Sequence, residues 1–392
     1  MTDDIIHDAL EMFRESDDGS LETRRDALED IKFGRLGDQW PDKVKQQREQ
    51  ENRPCLTINR MPAFIRQVVN ESRQNKPGII VSPVDNGADV ETARVISGLI
   101  RSIERRSHAE VSYDTAIDHA VSGGFGFFKL GIDYVGEDSF DMECRIERIP
   151  NPLMVHWDVA STAFDASDWR YAFVSDFLTR AEFKKRYPKA APVEFSGESS
   201  DDYAAQWLQD EDTIRLAEFW QREERKRKIL KLSNGNVVRA DMIPKLGREM
   251  LADGGFDSNA ASDDDLIAAY LDITGAEVLA ERYATYHDVT RRIISGVEVL
   301  EEEEWPGSTI PVCPVWGDEV VIEGRRHFRS MIRDARDPQV MFNYWRTAST
   351  ELVALAPKAP WVGPAGFAEG FEEVWGTANT RSHAYMEYNP GS

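Results

Sequence analysis

The residues best suited by type to hold a metal ion are two acidic runs, Asp263-Asp264-Asp265 and Glu301-Glu302-Glu303-Glu304. Carboxylates gathered on a divalent cation would make a cation-dependent hydrolase, one function class the chain could belong to. Neither run has the alternating spacing and glycine of a calcium loop. Consecutive acids are more simply solvated, and Asp263–Asp265 suits the charged first turn of a helix beginning near Leu266. None of the seven histidines, His7, His108, His119, His156, His287, His327 and His383, falls in an HExxH or HxH pattern. His156 and Asp158 flank Trp157 and would point the same way on a strand, which reads as a hydrogen-bonded surface pair with no nucleophile nearby. Gly123-Gly124-Phe125-Gly126 lacks the Lys-Ser/Thr of a phosphate loop and runs from helix to strand, so it reads as a helix C-cap and turn. The expectation is therefore no catalytic residue, no cofactor and no metal.

Charge constrains the partners. Seventy acids against 47 bases leave a net charge of −23. Such a chain repels nucleic acid on average, because phosphate-gripping surfaces are basic. Its bases come in runs, at Arg101–Arg106, Lys184–Arg186, Arg222–Lys231 and Arg325–Arg336. The densest, Arg222–Lys231, reads as a solvated hairpin tip, or as a contact with a duplex or with an acidic face of a neighbouring subunit. Cys55, Cys144 and Cys313 are far apart and odd in number, which suits reduced, buried thiols in a cytosolic protein. No apolar run approaches a membrane span, and the acidic N-terminus is neither a signal nor a transit peptide.

One segment stands apart from the rest. From Asp337-Pro338, read as N-cap and first helical residue, Met341, Tyr344, Trp345, Ala348, Leu352 and Leu355 recur at steps of three and four. That is an apolar stripe on one helix, with Arg346, Thr347, Thr350 and Glu351 on the other face. Pro357 and Pro360 end it. A greasy helix with no obvious partner in its own chain wants partners from other chains. The next fifteen residues hold Trp361, Phe367, Phe371 and Trp375 among glycines and prolines, the composition of interface anchors.

The elements before it read as α+β. The first fifty residues are helical and charged, with Ile6, Leu10 and Phe13 and then Leu21, Leu28, Ile31 and Phe33 as a stripe. Asn59 caps a helix lined by Met61, Phe64, Ile65, Val68 and Val69. Ile79-Ile80-Val81 reads as a buried strand. Residues 89–123 are helical with a break near Ser107, and Val95, Leu99, Ile103, Val111, Ile117 and Val121 face inward. Phe127–Tyr134 and Met142–Ile146 form a hairpin, and Thr179 caps a short helix. Residues 192–213 read as a surface loop, Leu216–Trp220 and Lys228–Leu232 as paired strands, and 240–285 as a mostly helical insertion.

Several motifs in series carry a resemblance. Gly37-Asp38-Gln39-Trp40, Arg53-Pro54-Cys55-Leu56-Thr57-Ile58-Asn59-Arg60, Asn70–Pro83, Gly123–Tyr134, Ile146–Asp158, Ser167-Asp168 and Ile310–Gly324 occur in one order along nearly the whole chain. In this the chain resembles the portal proteins of P22-type tailed bacteriophages, the head-to-tail connectors. The resemblance implies a wing over 1–333, a first stem helix over 334–357 and the start of a clip over 358–392. The rest of the clip, the second stem helix, the channel loop and the crown would be absent from this chain. It further implies a non-enzymatic ring of about twelve copies at one capsid vertex of the virion, assembled in the host cytoplasm. That ring would touch the major capsid protein, the terminase and the tail adaptor, and pass double-stranded DNA at packaging and ejection. Met341, Tyr344, Trp345, Ala348, Leu352 and Leu355 would then be a subunit interface, and Trp361, Phe367, Phe371 and Trp375 would face adaptor or terminase. The other reading is a monomeric structural adaptor.

Overall fold

The structure, a computed structural model, describes residues 2–51, 53–76, 78–84, 89–190, 213–240, 242–246, 263–354, 362–378 and 383–389. It divides into two units. The larger comprises Met1–Arg35 and Pro62–Asp334, and the smaller comprises Leu36–Met61 and Ala335–Ser392.

The larger unit opens with helix α1 (Thr2–Ile31). Its inner face is Ile6, Ala9, Phe13, Ser16, Ser20 and Ala27, small residues alternating with large ones at helical spacing. Leu21 and Leu28, expected to continue the stripe, are exposed, because each lies one residue, about 100°, round from the buried Ser20 and Ala27. In the smaller unit a helix α2 (Asp42–Gln50) follows, and α3 (Met61–Gln74) crosses the boundary. Helices α4 (Val90–Arg106) and α5 (Ala109–Gly123) are separated at Ser107-His108, where His108 takes a φ of 49°. The apolar stripes of α3 and α4 are split. Ile65, Val69 and Ala93 are buried, whereas Phe64, Val68, Val95 and Leu99 face out. Ile79–Val81 is not a strand, and Ile80 is 77% exposed.

Among the described residues all strand pairing is antiparallel. Strands β1 (Phe125–Tyr134) and β2 (Met142–Arg148) form the expected hairpin, which β9 (Val312–Trp316) joins on the other edge of β1. The main sheet runs β3 (Val155–Trp157), β4 (Tyr171–Thr179), β5 (Thr213–Leu232), β7 (Val278–Ile294) and β8 (Val299–Trp305), with β6 (Val237–Arg239) pairing to β5. A third, two-stranded ribbon pairs β10 (Asp318–Ile322) with β11 (Arg325–Arg329). Helix α6 (Arg180–Arg186) starts on a capping box made by Thr179 and Glu182. Helix α7 (Asp263–Thr274) includes the three aspartates in its first turn, so it begins earlier than Leu266.

Two sequence readings change here. Leu216–Trp220 and Lys228–Leu232 are not paired strands. They are the two ends of one twenty-residue strand, whose charged middle pairs with β7. The expected helical insertion over 240–285 is also cut short: its last residues, 278–285, are already the first half of the strand Val278–Ile294. Arg225 pairs with Asp288 at 3.2 Å, Lys228 with Glu281 at 2.6 Å, and Arg227 lies 3.4 Å over the Tyr286 ring. Cross-strand charge and cation–π pairs keep a polar run in strand conformation despite its weak propensity. The expected loop over 192–213 lies, except for Thr213, outside the described residues.

The core is aromatic. Phe125, Phe127, Trp157, Trp169 and Trp220 pack with Val289, Val312 and Phe328, and Trp316 stacks on Phe328 at 4.0 Å. A second cluster seats Ile6 and Phe13 of α1 on Tyr171, Phe173, Phe219 and Ile294 of the main sheet. Gly124 caps α5 with a φ of 91°, and a Cβ on Gly126 would lie 2.0 Å from the Ala116 carbonyl oxygen. The glycine run thus lets β1 pass against the backbone of α5. The expected result for Gly126→Ala is a loss of about 3 kcal/mol or more, because the obstructing atoms are main chain and cannot rotate away. A urea-unfolding midpoint checks it.

His156 and Asp158 are both buried, not a surface pair, and each has its own partner. The Asp158 carboxylate accepts 2.7 and 2.8 Å bonds from the Arg170 guanidinium. The His156 Nε2 lies 3.3 Å from Asp17. Burial, helped by the Arg24 and Arg215 charges, pushes the imidazole from 6.5 down to about 3, with Asp17 opposing. The unfolded chain therefore binds a proton below pH 6.5 that the folded one refuses. Stability is constant above that pH and falls as the solution is acidified toward pH 3. At pH 5 this one group accounts for about 2 kcal/mol. Thermal unfolding of His156→Gln between pH 7 and 4 should show a correspondingly flatter profile than the parent.

Candidate assembly surface on the helix Met331–Ala354

Helix α8 (Met331–Ala354) starts six residues before the Asp337-Pro338 signal. Its cap is Ser330, whose hydroxyl oxygen accepts from the Ile332 and Arg333 amides at 3.1 and 3.2 Å and donates to Asp30 at 2.7 Å. Pro338 therefore lies inside the helix. The rung it cannot make falls at the carbonyl of Asp334, the last residue of the larger unit.

Within the smaller unit the helix has an in-chain partner, and it uses its polar face. Gln339, Asn343 and Thr347 are buried, and Glu351 follows at the same step of four. Alongside them runs the extended segment Arg53–Arg60. The Asn343 Oδ1 accepts the Ile58 amide at 3.0 Å and the Thr347 hydroxyl oxygen accepts the Leu56 amide at 3.3 Å. Two extended residues advance about 6.7 Å and four helical ones about 6 Å, so alternate amides meet every fourth side chain. Gln339 donates to the Ile58 carbonyl at 2.8 Å, and Gln39 Oε1 accepts from Asn343 at 2.6 Å. Gln39 donates in turn to Asn59 Oδ1 at 2.9 Å, which also accepts the Met61 amide at 3.0 Å. At the far end Arg48 and Arg53 both grip Glu351, and the Arg53 hydrogen bond holds that carboxyl below its usual range. Trp40 donates to the Leu56 carbonyl at 3.2 Å and packs on Tyr344 with ring centroids 4.5 Å apart. The two N-terminal motifs, Gly37–Trp40 and Arg53–Arg60, are thus the docking strip for this helix.

The absence of an in-chain partner, expected from sequence, is corrected accordingly. The apolar stripe, however, lies on the opposite side. Met341 is two residues beyond Gln339, about 200° round the helix. Met341, Trp345, Ala348 and Leu352 are exposed, with Trp345 at 73% and Leu352 at 76%. Tyr344 sits on the flank, half-covered by Trp40. Leu355 lies outside the described residues. Gln339, Asn343, Thr347 and Glu351, spaced by four, were the readable sign of a second, polar seam.

Of the four aromatics that follow, Trp361 lies outside the described residues. Phe367 and Trp375 pack edge to face at 5.1 Å, and Phe371 is half-buried at the start of α9 (Glu372–Thr377). Trp375 donates to the Glu387 carbonyl at 2.8 Å, and Asn389 donates through its amide to Phe367 and through its side chain to Glu369. Phe367 and Trp375 hold this short segment together, each leaving part of its ring uncovered.

The Glu301–Glu304 run is placed differently from a metal centre, and the side chains of Asp263–Asp265 lie outside the described ones. Glu302 and Glu303 on β8 pair with Arg292 and Arg291 at 2.8 and 3.1 Å, and Glu301 accepts from the Tyr187 hydroxyl at 2.6 Å. Among the described residues no group of three or more His, Cys, Asp and Glu is arranged to hold a metal ion. Among them, too, no helix is long and apolar enough to cross a membrane. The three cysteines are free. Cys144 is exposed, contrary to the buried reading, and burial pushes the Cys313 thiol up to about 11.

A family model described as "Phage P22-like portal protein" matches residues 10–392. A curated relative named "Portal protein", from Acyrthosiphon pisum secondary endosymbiont phage 1, is 26% identical over 390 residues. The match covers 93% of this chain and 50% of the relative, so the chain spans about half the length of that curated protein. The polar seam that locks Gly37–Trp40 and Arg53–Arg60 onto one helix lies within the matched region, and the chain belongs to the P22-like phage portal protein family.

Proposed function

We propose that this chain is the wing, first stem helix and clip start of a portal ring of about twelve copies, standing at one capsid vertex of the virion. The observation that carries this reading is the orientation of α8. Its polar face is used inside the chain, and its apolar face, with Trp345 and Leu352, is left open to solvent. An isolated globular subunit has no use for such a face, whereas copies packed side by side cover it. Residues 1–333 serve as wing, 334–357 as stem and 358–392 as clip opening. The half-exposed rings of Phe367, Phe371 and Trp375, with Trp361, form the surface offered to terminase and tail adaptor. The major capsid protein surrounds the wing.

The role is structural and involves no catalysis by this chain. Double-stranded DNA passes through the ring inward at packaging and outward at ejection. With 70 acids against 47 bases the wall resists phosphate adhesion, since repulsion within a Debye length of about 8 Å keeps a duplex from sticking. Light-scattering mass of the purified chain tests the ring reading. Particles of many times the 44.5 kDa chain mass are expected, and a single copy at all concentrations contradicts it. Addition of a chelator should change neither mass nor any hydrolytic background. A hydrolytic activity lost on chelation would restore the cation-dependent enzyme.

A further inference from the structure

We infer a second contact between copies, in the larger unit: the tip of the β1–β2 hairpin of one copy seats in a cleft beside α4 of the next. The contact rests on the ring reading and adds a head-to-tail joint distinct from α8.

The hairpin supplies the knob. β9 pairs with β1 over Phe125–Lys129 and the Leu130 amide donates to the Pro311 carbonyl at 2.8 Å, so the outer part, Gly131–Tyr134, is a two-stranded arm with β2. The arm ends in a loop closed by the Val135 amide on the Asp141 carbonyl at 2.9 Å, with a turn from Ser139 back to Gly136 at 3.1 Å. At its end Phe140 is 96% exposed. Tyr134 and Met142, the last cross-strand pair, are exposed beside it. Glu137, Asp138 and Asp141 lie within three residues of Phe140 in the chain and make no ion pair among the described residues. A phenyl ring held out on an ordered arm with three free carboxylates is a costly surface for a subunit that keeps it wet.

The cleft supplies the hole. The extended stretch Gly78–Val84 is tied to α4 by the Val81 amide, which donates to the Ser97 hydroxyl at 3.2 Å. Between them lies a cleft of about 370 Å³ whose lining includes Ile80, Pro83, Val90 and, buried, Ala93. Arg94 and Arg101 line it. Arg101 has no ion pair among the described residues, and Arg94 has only a surface pair with Glu91 at 3.1 Å, of little strength. A cavity of about 150 Å³ already holds a benzene ring, so one phenyl side chain fits with room for its neighbours. The signs match, acids around the knob and arginines around the hole.

The occupant is a second copy and not the same one. Arg106, at the C-terminal end of α4, pairs at 2.8 Å with Glu143, next to the last cross-strand pair of the arm. Arg94 is twelve residues back, about 18 Å along the helix. The chain's own Phe140 is left fully in water. Knob and hole are therefore separate patches on one body, the arrangement that generates a ring or a helical chain of subunits.

Paired cysteines in the full chain, with Cys144→Ser, test the contact. Gly98 has open space at its Cβ and Phe140 is exposed, so both positions accept a thiol. Phe140→Cys with Gly98→Cys in one chain should give an oxidation-dependent ladder of linked copies. The two changes on separate chains, mixed, should give linked pairs only. In charge reversal, Asp138→Arg with Asp141→Arg should weaken association about tenfold or more, and adding Arg94→Glu with Arg101→Glu should recover most of it. A ladder that persists when Trp345→Asp and Leu352→Asp have removed the stem contact supports the wing joint even if the stem reading falls. Normal rings with no ladder, and with Phe140→Asp assembling as the parent does, overturn the wing joint and leave the ring intact.

Discussion

Trp345→Asp combined with Leu352→Asp abolishes assembly and leaves the larger unit folded. Both side chains are exposed in the single copy, at 73% and 76%, so neither supports the fold of its own subunit. Covering a Trp or Leu side chain is worth about 1.5–3 kcal/mol, and a ring repeats that gain at every joint. Replacing both with carboxylates removes the gain and requires two charges to be desolvated at each interface, which adds several kcal/mol against closure. Light scattering should then return a single copy, while far-ultraviolet circular dichroism and the thermal transition of the larger unit stay as in the parent. Ring formation unchanged by the pair would remove the assigned role of the stripe.

The second large effect lies on the opposite side of the same helix. Asn343 is 1% exposed and does two things at once, accepting the Ile58 amide and donating to Gln39. Asn343→Leu keeps the heavy-atom branching and leaves that amide and the Gln39 carbonyl oxygen buried with one fewer partner. The expected cost to the smaller unit is about 2–4 kcal/mol, the size typical of breaking a buried polar network on one side. Hydrogen exchange of the Leu56 and Ile58 amides reads it directly, with an acceleration of roughly 30- to 1000-fold. Exchange at the parent rate would mean that the strip is held by Trp40 and Tyr344 packing alone.

How much of this was legible in sequence varies with the physics involved. Local signals were sound where one residue decides the outcome. Thr179 with Glu182 makes the capping box, Asn59 binds the amide at the start of its helix, and Gly124 turns the chain into β1. Hydrophobic stripes were right in period, and on α4 wrong in direction. Val95 and Leu99 recur at helical spacing but face outward instead of inward, because periodicity reports a face and not which side of it is the core. The strand over Arg222–Lys228 was hidden because its stability comes from pairing with Asp288, Glu281 and Tyr286, some sixty residues away. Likewise the Asp337-Pro338 signal was real as local chemistry but lost to Ser330, whose cap is reinforced by Asp30, 300 residues distant. The motifs Gly37–Trp40 and Arg53–Arg60 were visible as words long before their meaning. Only the fold shows that Gln39 and Asn59 complete a seam with Gln339 and Asn343.

Electron images of the purified chain viewed end-on test the central claim most directly. Closed rings with an open centre are the predicted result, with the Trp345 faces of adjoining copies in contact around the hole. Isolated copies, or a symmetric pair with a filled centre, would contradict it.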